Sequence, residues 1–153
     1  MTRARWWHNL FRRRRTVPLD RDREDLVVVA SSYDDVEACS AALDRAAAAD
    51  PRWIQDAEAV LRHHLRLPAE GVDAAVALAA QDGYTVSRDP RQAPVAASGD
   101  ELVAVVLQRT QVLDALHCSQ ERSRMAGLAQ RAGGTVLGWD ALQPPPNPVA
   151  GAD

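Results

Sequence analysis

Three groups of residues in this chain have side chains that could do chemistry, and their spacing decides what each can do. His63 and His64 are adjacent. In a strand, neighbours point to opposite faces, so the two imidazoles cannot ligate one metal without distortion. The pair therefore reads as one histidine in the core and one that is solvent-facing or hydrogen-bonded. His117 and Cys118 are also adjacent. On a helix they lie about 100° apart, which does not bring a base within hydrogen-bond reach of a thiol nucleophile. Cys118 reads instead as a small apolar residue. Asp34, Asp35 and Glu37 form a carboxylate cluster that a helix N-terminus explains without chemistry. There is no GxGxxG, P-loop, HExxH or GxSxG pattern. These observations assign no catalytic residue, no metal site and no cofactor, and the chain reads as a non-enzyme.

The elements that would carry these residues follow from periodicity. Leu26 to Ala30 (LVVVA) is a buried-strand pattern. Asp34 or Asp35 can cap a helix over about 35–49, which Asp50-Pro51 ends. Residues 53–60 fit a short helical turn. Ala59 to Leu67 reads as a strand closed by Pro68. A helix follows over 69–82, with Val72, Ala75, Val76 and Ala79 on one face and Gly83 as its cap. Tyr84 to Ser87 is a short strand, and 88–100 is a hairpin loop rich in Pro, Ala, Gly and Asp. Leu102 to Gln108 is the strongest strand. A long helix over about 114–132 carries the stripe Cys118, Met125, Leu128, Ala129 and Ala132, and Gly133-Gly134 ends it. Thr135 to Leu142 is the last strand, before a Pro-rich tail at 144–153 that reads as disordered.

From residue 55 to 143 the order is β-α-β-β-α-β. The expected class is therefore α/β (α+β): a ferredoxin-like antiparallel sheet with helices on one face, preceded by a strand-helix extension over 19–54. The length of 153 residues suits one core.

Charge is distributed unevenly. Every basic residue is Arg, and the net charge is −3. Residues 1–15 hold six Arg and no acid, whereas the rest holds 12 Arg against 21 acids, a net −9. An acidic body is a poor general nucleic-acid binder and suits a basic protein partner. The arm over 1–18 carries Arg3, Arg5, Trp6, Trp7, Phe11, Arg12, Arg13, Arg14 and Arg15. Tryptophan with arginine fits an anionic membrane interface, or RNA through stacking and phosphate contacts, and it also fits a basic tail with no dedicated ligand. The apolar run near the N-terminus is too short for a secretory signal. Two cysteines, Cys39 and Cys118, without metal spacing fit a reducing cytoplasm, with the inner face of the membrane as the arm's alternative location.

The ordered elements carry a resemblance. HHLRLP (His63 to Pro68), GY (Gly83-Tyr84), MAGLAQRAGG (Met125 to Gly134) and GWDAL (Gly138 to Leu142) occur in an order that resembles the regulator of ribonuclease E activity B family, over about residues 55–143. That family often has an acid before the GW pair, where this chain has Leu137. The resemblance implies a ferredoxin-like domain without catalysis of its own. It would act as a protein regulator, docking an acidic surface on a basic segment of an RNA-degrading ribonuclease. The surface expected to do so comprises Glu70, Asp73, Asp82, Asp100 and Glu101, with Tyr84 and Trp139 as anchors. Trp139 equally reads as a core residue beside a glycine that relieves crowding. Two alternatives remain: a peripheral membrane protein held by the arm, and a ferredoxin-like dimer that senses a small molecule.

Overall fold

A computed structural model describes residues 18–89 and 102–146. Five strands form one sheet: β1 (Val27–Ser32), β2 (Glu58–Pro68), β3 (Thr85–Val86), β4 (Leu102–Val112) and β5 (Thr135–Gln143). Their spatial order is β1-β5-β2-β4-β3, and every neighbouring pair is antiparallel. Among the described residues the sheet is accompanied by three α-helices, α1 (Cys39–Ala47), α2 (Val72–Ala80) and α3 (Ala115–Arg131), with a 3-10 turn (Ala69–Gly71) leading into α2. From β2 onward this is the expected ferredoxin-like α+β arrangement. The extension adds β1 as a fifth strand beside β5.

β2 organises the sheet. It pairs with β4 along its whole length and with β5 from Val60 to Arg66. Its odd positions, Ala59, Leu61, His63, Leu65 and Leu67, are buried beneath the helices, and its even positions, Val60, Arg62, His64 and Arg66, face the other way. The helix-side core falls into two clusters. One joins Leu61 and Trp139 to Val29, Leu43, Trp53 and Cys118. The other joins Leu65 and Leu67 to Ala79, Tyr84, Leu107 and Met125. Because Val29, Leu43 and Trp53 share the first cluster with β2 and β5, the 19–54 segment is built into the same core.

Helix α1 begins four residues later than its expected start. Asp34 does not cap it: the carboxylate instead accepts from the amide of Val36 at 3.0 Å, an Asx turn that holds the chain out of the helix. The cap position is Ala38, with no side-chain cap. From there Cys39, Ala42, Leu43 and Ala46 form a buried i, i+3, i+4, i+7 stripe. Residues 53–57 likewise form no helix; they lead through a turn into β2. Helix α3 starts one residue later than expected because Asp114 caps it, its carboxylate accepting from the amide of His117 at 2.8 Å.

Two glycines permit close approaches. A Cβ on Gly134 would sit 2.0 Å from the carbonyl oxygen of Arg66, so β5 can start against β2 only with glycine there. A Cβ on Gly138 would meet the Tyr33 ring at 2.4 Å. That space lets Tyr33 fold over β5 towards His64, with ring centroids 5.6 Å apart.

The connector before β1 crosses the face opposite the helices. Leu19 and Leu26 pack on Val60 and Leu142, the Leu19 amide donates to Glu58 at 2.6 Å, and Arg21 donates to the Thr85 hydroxyl at 3.1 Å.

Candidate functional site

The two histidines of β2 stand at the centres of two polar clusters, one on each face. On the helix side, His63 is 1% exposed. Tyr84 donates to Glu121 at 2.6 Å, and Arg109 pairs with the other Glu121 oxygen at 3.0 Å. The Arg109 guanidinium lies 4.7 Å from the centroid of the Tyr84 ring. Because the Tyr84 proton goes to Glu121, its oxygen is left to accept from His63 Nε2 at 3.4 Å. That assigns the imidazole proton to Nε2, and among the described residues Nδ1 has no partner. Burial pushes the His63 pKa down to about 4, against the smaller opposing pull of Glu121. Burial and the bond to Glu121 push the Tyr84 hydroxyl up. At neutral pH both rings of this cluster are neutral.

On the open face, Arg62 grips Asp140 with two bonds of 2.6 Å, and His64 lies 3.0 Å from the same carboxylate. Tyr33 donates to Asp140 at 3.4 Å, and Arg62 also reaches Asp89 at 3.5 Å. Burial would raise the Asp140 pKa, but the bonds from His64 and Arg62 outweigh it and hold the carboxyl below its usual range. Beside this pair is a cavity of about 420 Å³, lined by Leu26, Val60, Leu142, Arg62 and Gln108 below and by the connector and Ser87–Asp89 above.

A third feature is a groove of about 820 Å³ between α3 and the start of β5. Ala115, Ser119, Arg122 and Ala126 line it from one helical face, and Thr135 to Gly138 line it from the sheet. β1 pairs with β5 only from Trp139 onward. Among the described residues, the β1-side edge of Thr135–Gly138 therefore has no strand partner. Exposed Tyr33, Val36, Leu116 and Leu137 surround this region. Arg122 donates to the carbonyls of Glu37 and Asp34, which fixes the loop bearing exposed Asp34 and Asp35 at the groove's end.

The expected docking residues are dispersed by the fold. Tyr84 and Trp139 are each 1% exposed, so neither is a surface anchor; both project from the sheet into the helix-side core. Asp82 is partly buried and paired with Arg124 at 2.6 Å. Glu70 and Asp73 are exposed at the start of α2. Asp100, Glu101 and the arm residues Arg3, Arg5, Trp6, Trp7, Phe11 and Arg12 to Arg15 lie outside the described residues. Arg62, Gln108, Glu121 and Asp140 were missed as site residues. The period-two alternation of β2 placed Arg62 on the open face, but no sequence signal gave its partner.

The fold class is thus α+β, ferredoxin-like with one added strand. Comparison with family models, curated proteins and solved structures finds no match to this chain. Among the described residues no helix is long and apolar enough to cross a membrane, and no group of three or more His, Cys, Asp or Glu side chains is placed to hold a metal ion.

Proposed function

We propose that this chain is a non-catalytic protein-binding domain that docks an extended, basic segment of a partner in the groove between α3 and β5. The unpartnered edge of Thr135–Gly138 carries this reading. Open main-chain N–H and C=O groups are satisfied by an added strand, and a neighbouring helix supplies the pockets for its side chains. Leu116 and Leu137 offer apolar contact, and Asp34 and Asp35 favour a positively charged occupant. The acidic docking surface expected over Glu70 and Asp73 moves in this reading to the 34–37 loop and the groove beside it. The class of partner comes from the sequence resemblance: an RNA-degrading ribonuclease with a basic segment, bound and restrained by the domain.

The test places a photo-crosslinking amino acid at Leu137, at Leu116 and, as a control, at exposed Val112. Adducts with an RNA-degrading enzyme at the first two positions and not the third are the expected result. Adducts that are absent, or equal at all three positions, overturn the reading.

A further inference from the structure

The chain's two cysteines, far apart in sequence, meet where α1 packs on α3. Cys39 is the first residue of α1, and Cys118 lies in the first turn of α3. Both are free thiols, and both belong to one core cluster. Helical spacing aims Cys118 at Cys39. Ala115 and Arg122 lie one turn to either side of Cys118 on the same face of α3, and both line the groove together with Cys39. Arg122 also donates to the carbonyl of Glu37, which clamps the chain just before Cys39 onto α3. The sulfurs are close enough that the hydrogen bond and the charge of Cys39 both act on Cys118.

Size alone does not call for sulfur here. The same cluster fills its other small positions with Ala30, Ala42, Ala46, Ala59 and Ala141. The two sulfurs also differ in access. Cys118 is 0% exposed, and burial, then the bond and charge of Cys39, push its thiol pKa up against the smaller pull of Arg122. Cys39 is 6% exposed and forms part of the groove wall, where a small solute reaches it.

We propose that Cys39 and Cys118 are a reversible dithiol site that peroxide converts to a disulfide, with Cys39 oxidised first and Cys118 as its resolving partner. The Cys39 sulfur attacks one oxygen of hydrogen peroxide, the O–O bond breaks, and a sulfenic acid and one water result. The Cys118 sulfur then attacks the sulfenic sulfur. The S–O bond breaks, the S–S bond forms, and the Cys118 proton leaves with the hydroxyl as a second water. Two thiols and one peroxide thus give one disulfide and two waters. A thiol reductant reverses the reaction by exchange, so the bond is transient in a reducing compartment. It ties the Asp35–Ser40 wall of the groove to α3. The chemistry does not rest on what the groove docks.

The experiment treats the full chain with hydrogen peroxide, caps the remaining thiols with N-ethylmaleimide in denaturant, and digests it for mass spectrometry. The expected digest contains a Cys39–Cys118 linked peptide from single chains and no capped cysteine, and dithiothreitol restores both thiols. In Cys118→Ala, Cys39 stops at the sulfenic acid and takes up dimedone; in Cys39→Ala, Cys118 stays a thiol. Three results overturn the proposal: the native chain keeps both thiols at millimolar peroxide, Cys39 goes on to the sulfinic acid while Cys118 stays a thiol, or the disulfide joins two chains. The native chain alone decides these three, whether or not either variant folds.

Discussion

The two faces of β2 treat polar groups in opposite ways. Beneath the helices, His63, Tyr84, Glu121 and Arg109 form a closed set in which the one full negative charge meets arginine and a phenol. Apolar clusters flank it, the Arg109 side chain reaches solvent at its edge, and burial keeps the imidazole neutral. On the open face, Arg62 and Asp140 are equally buried, yet a cavity lined by Gln108 adjoins them. Enclosure by helices turns polar residues into structure. On the open face the described residues leave a cavity beside the buried pair.

The largest effect should come from breaking the open-face pair. Asp140→Ala removes the main partner of an arginine that is 4% exposed, and it should cost about 3–5 kcal/mol in denaturant unfolding. A loss below about 1 kcal/mol would mean that Asp89 and solvent already hold Arg62, and the two faces would then differ less than the burial implies.

Next is the pH response of the helix side. The His63 pKa of about 4 in the folded state lies below the value of about 6.5 in an unfolded chain. Between these values the unfolded chain binds more protons, so stability is full above about pH 6.5 and falls as the pH drops towards 4. The loss is on the order of 3 kcal/mol over that window. His63→Leu should flatten this part of a stability-against-pH curve. The Asp140 carboxyl, held low, adds its own loss only at still more acid pH. An unchanged slope in His63→Leu would show that the imidazole is not the group responsible.

Gln108→Leu sharpens the contrast. Its amide makes no hydrogen bond among the described residues, so the substitution should change unfolding free energy by less than about 1 kcal/mol, or raise it slightly. A loss of several kcal/mol would place Gln108 in the structural class with Glu121.

The smallest effect is expected at the surface pair. Asp82→Ala removes a bridge to Arg124 that is open to solvent on both sides, so thermal unfolding should report no more than about 1 kcal/mol, less at high salt.

Much of the fold was legible in local pattern. The alternation in β2, the apolar stripe of α3, and the order of elements from residue 55 each rest on neighbours in sequence, and period two or 3.6 reports them directly. The split of His63 and His64 between faces follows from the same pleat. The start of α1 was less legible, because Asp34 can cap a helix or make an Asx turn with the same oxygen, and only the path of the loop selects one.

The sequence by itself determined which residues share a strand or helix and which side of it they take. Tertiary structure alone decided what lies across from them. It buried Tyr84 and Trp139, which the resemblance had offered as anchors, although Trp139 also read as a core residue, and it paired Arg62 with Asp140, 78 residues away. It joined β1 to the edge of β5, a choice that strand periodicity does not express. It brought Gln108, the connector and Ser87–Asp89 together around one cavity on the open face. Periodicity records the direction of a side chain; its partners depend on sheet order and on what covers each face, which arise only when distant segments pack.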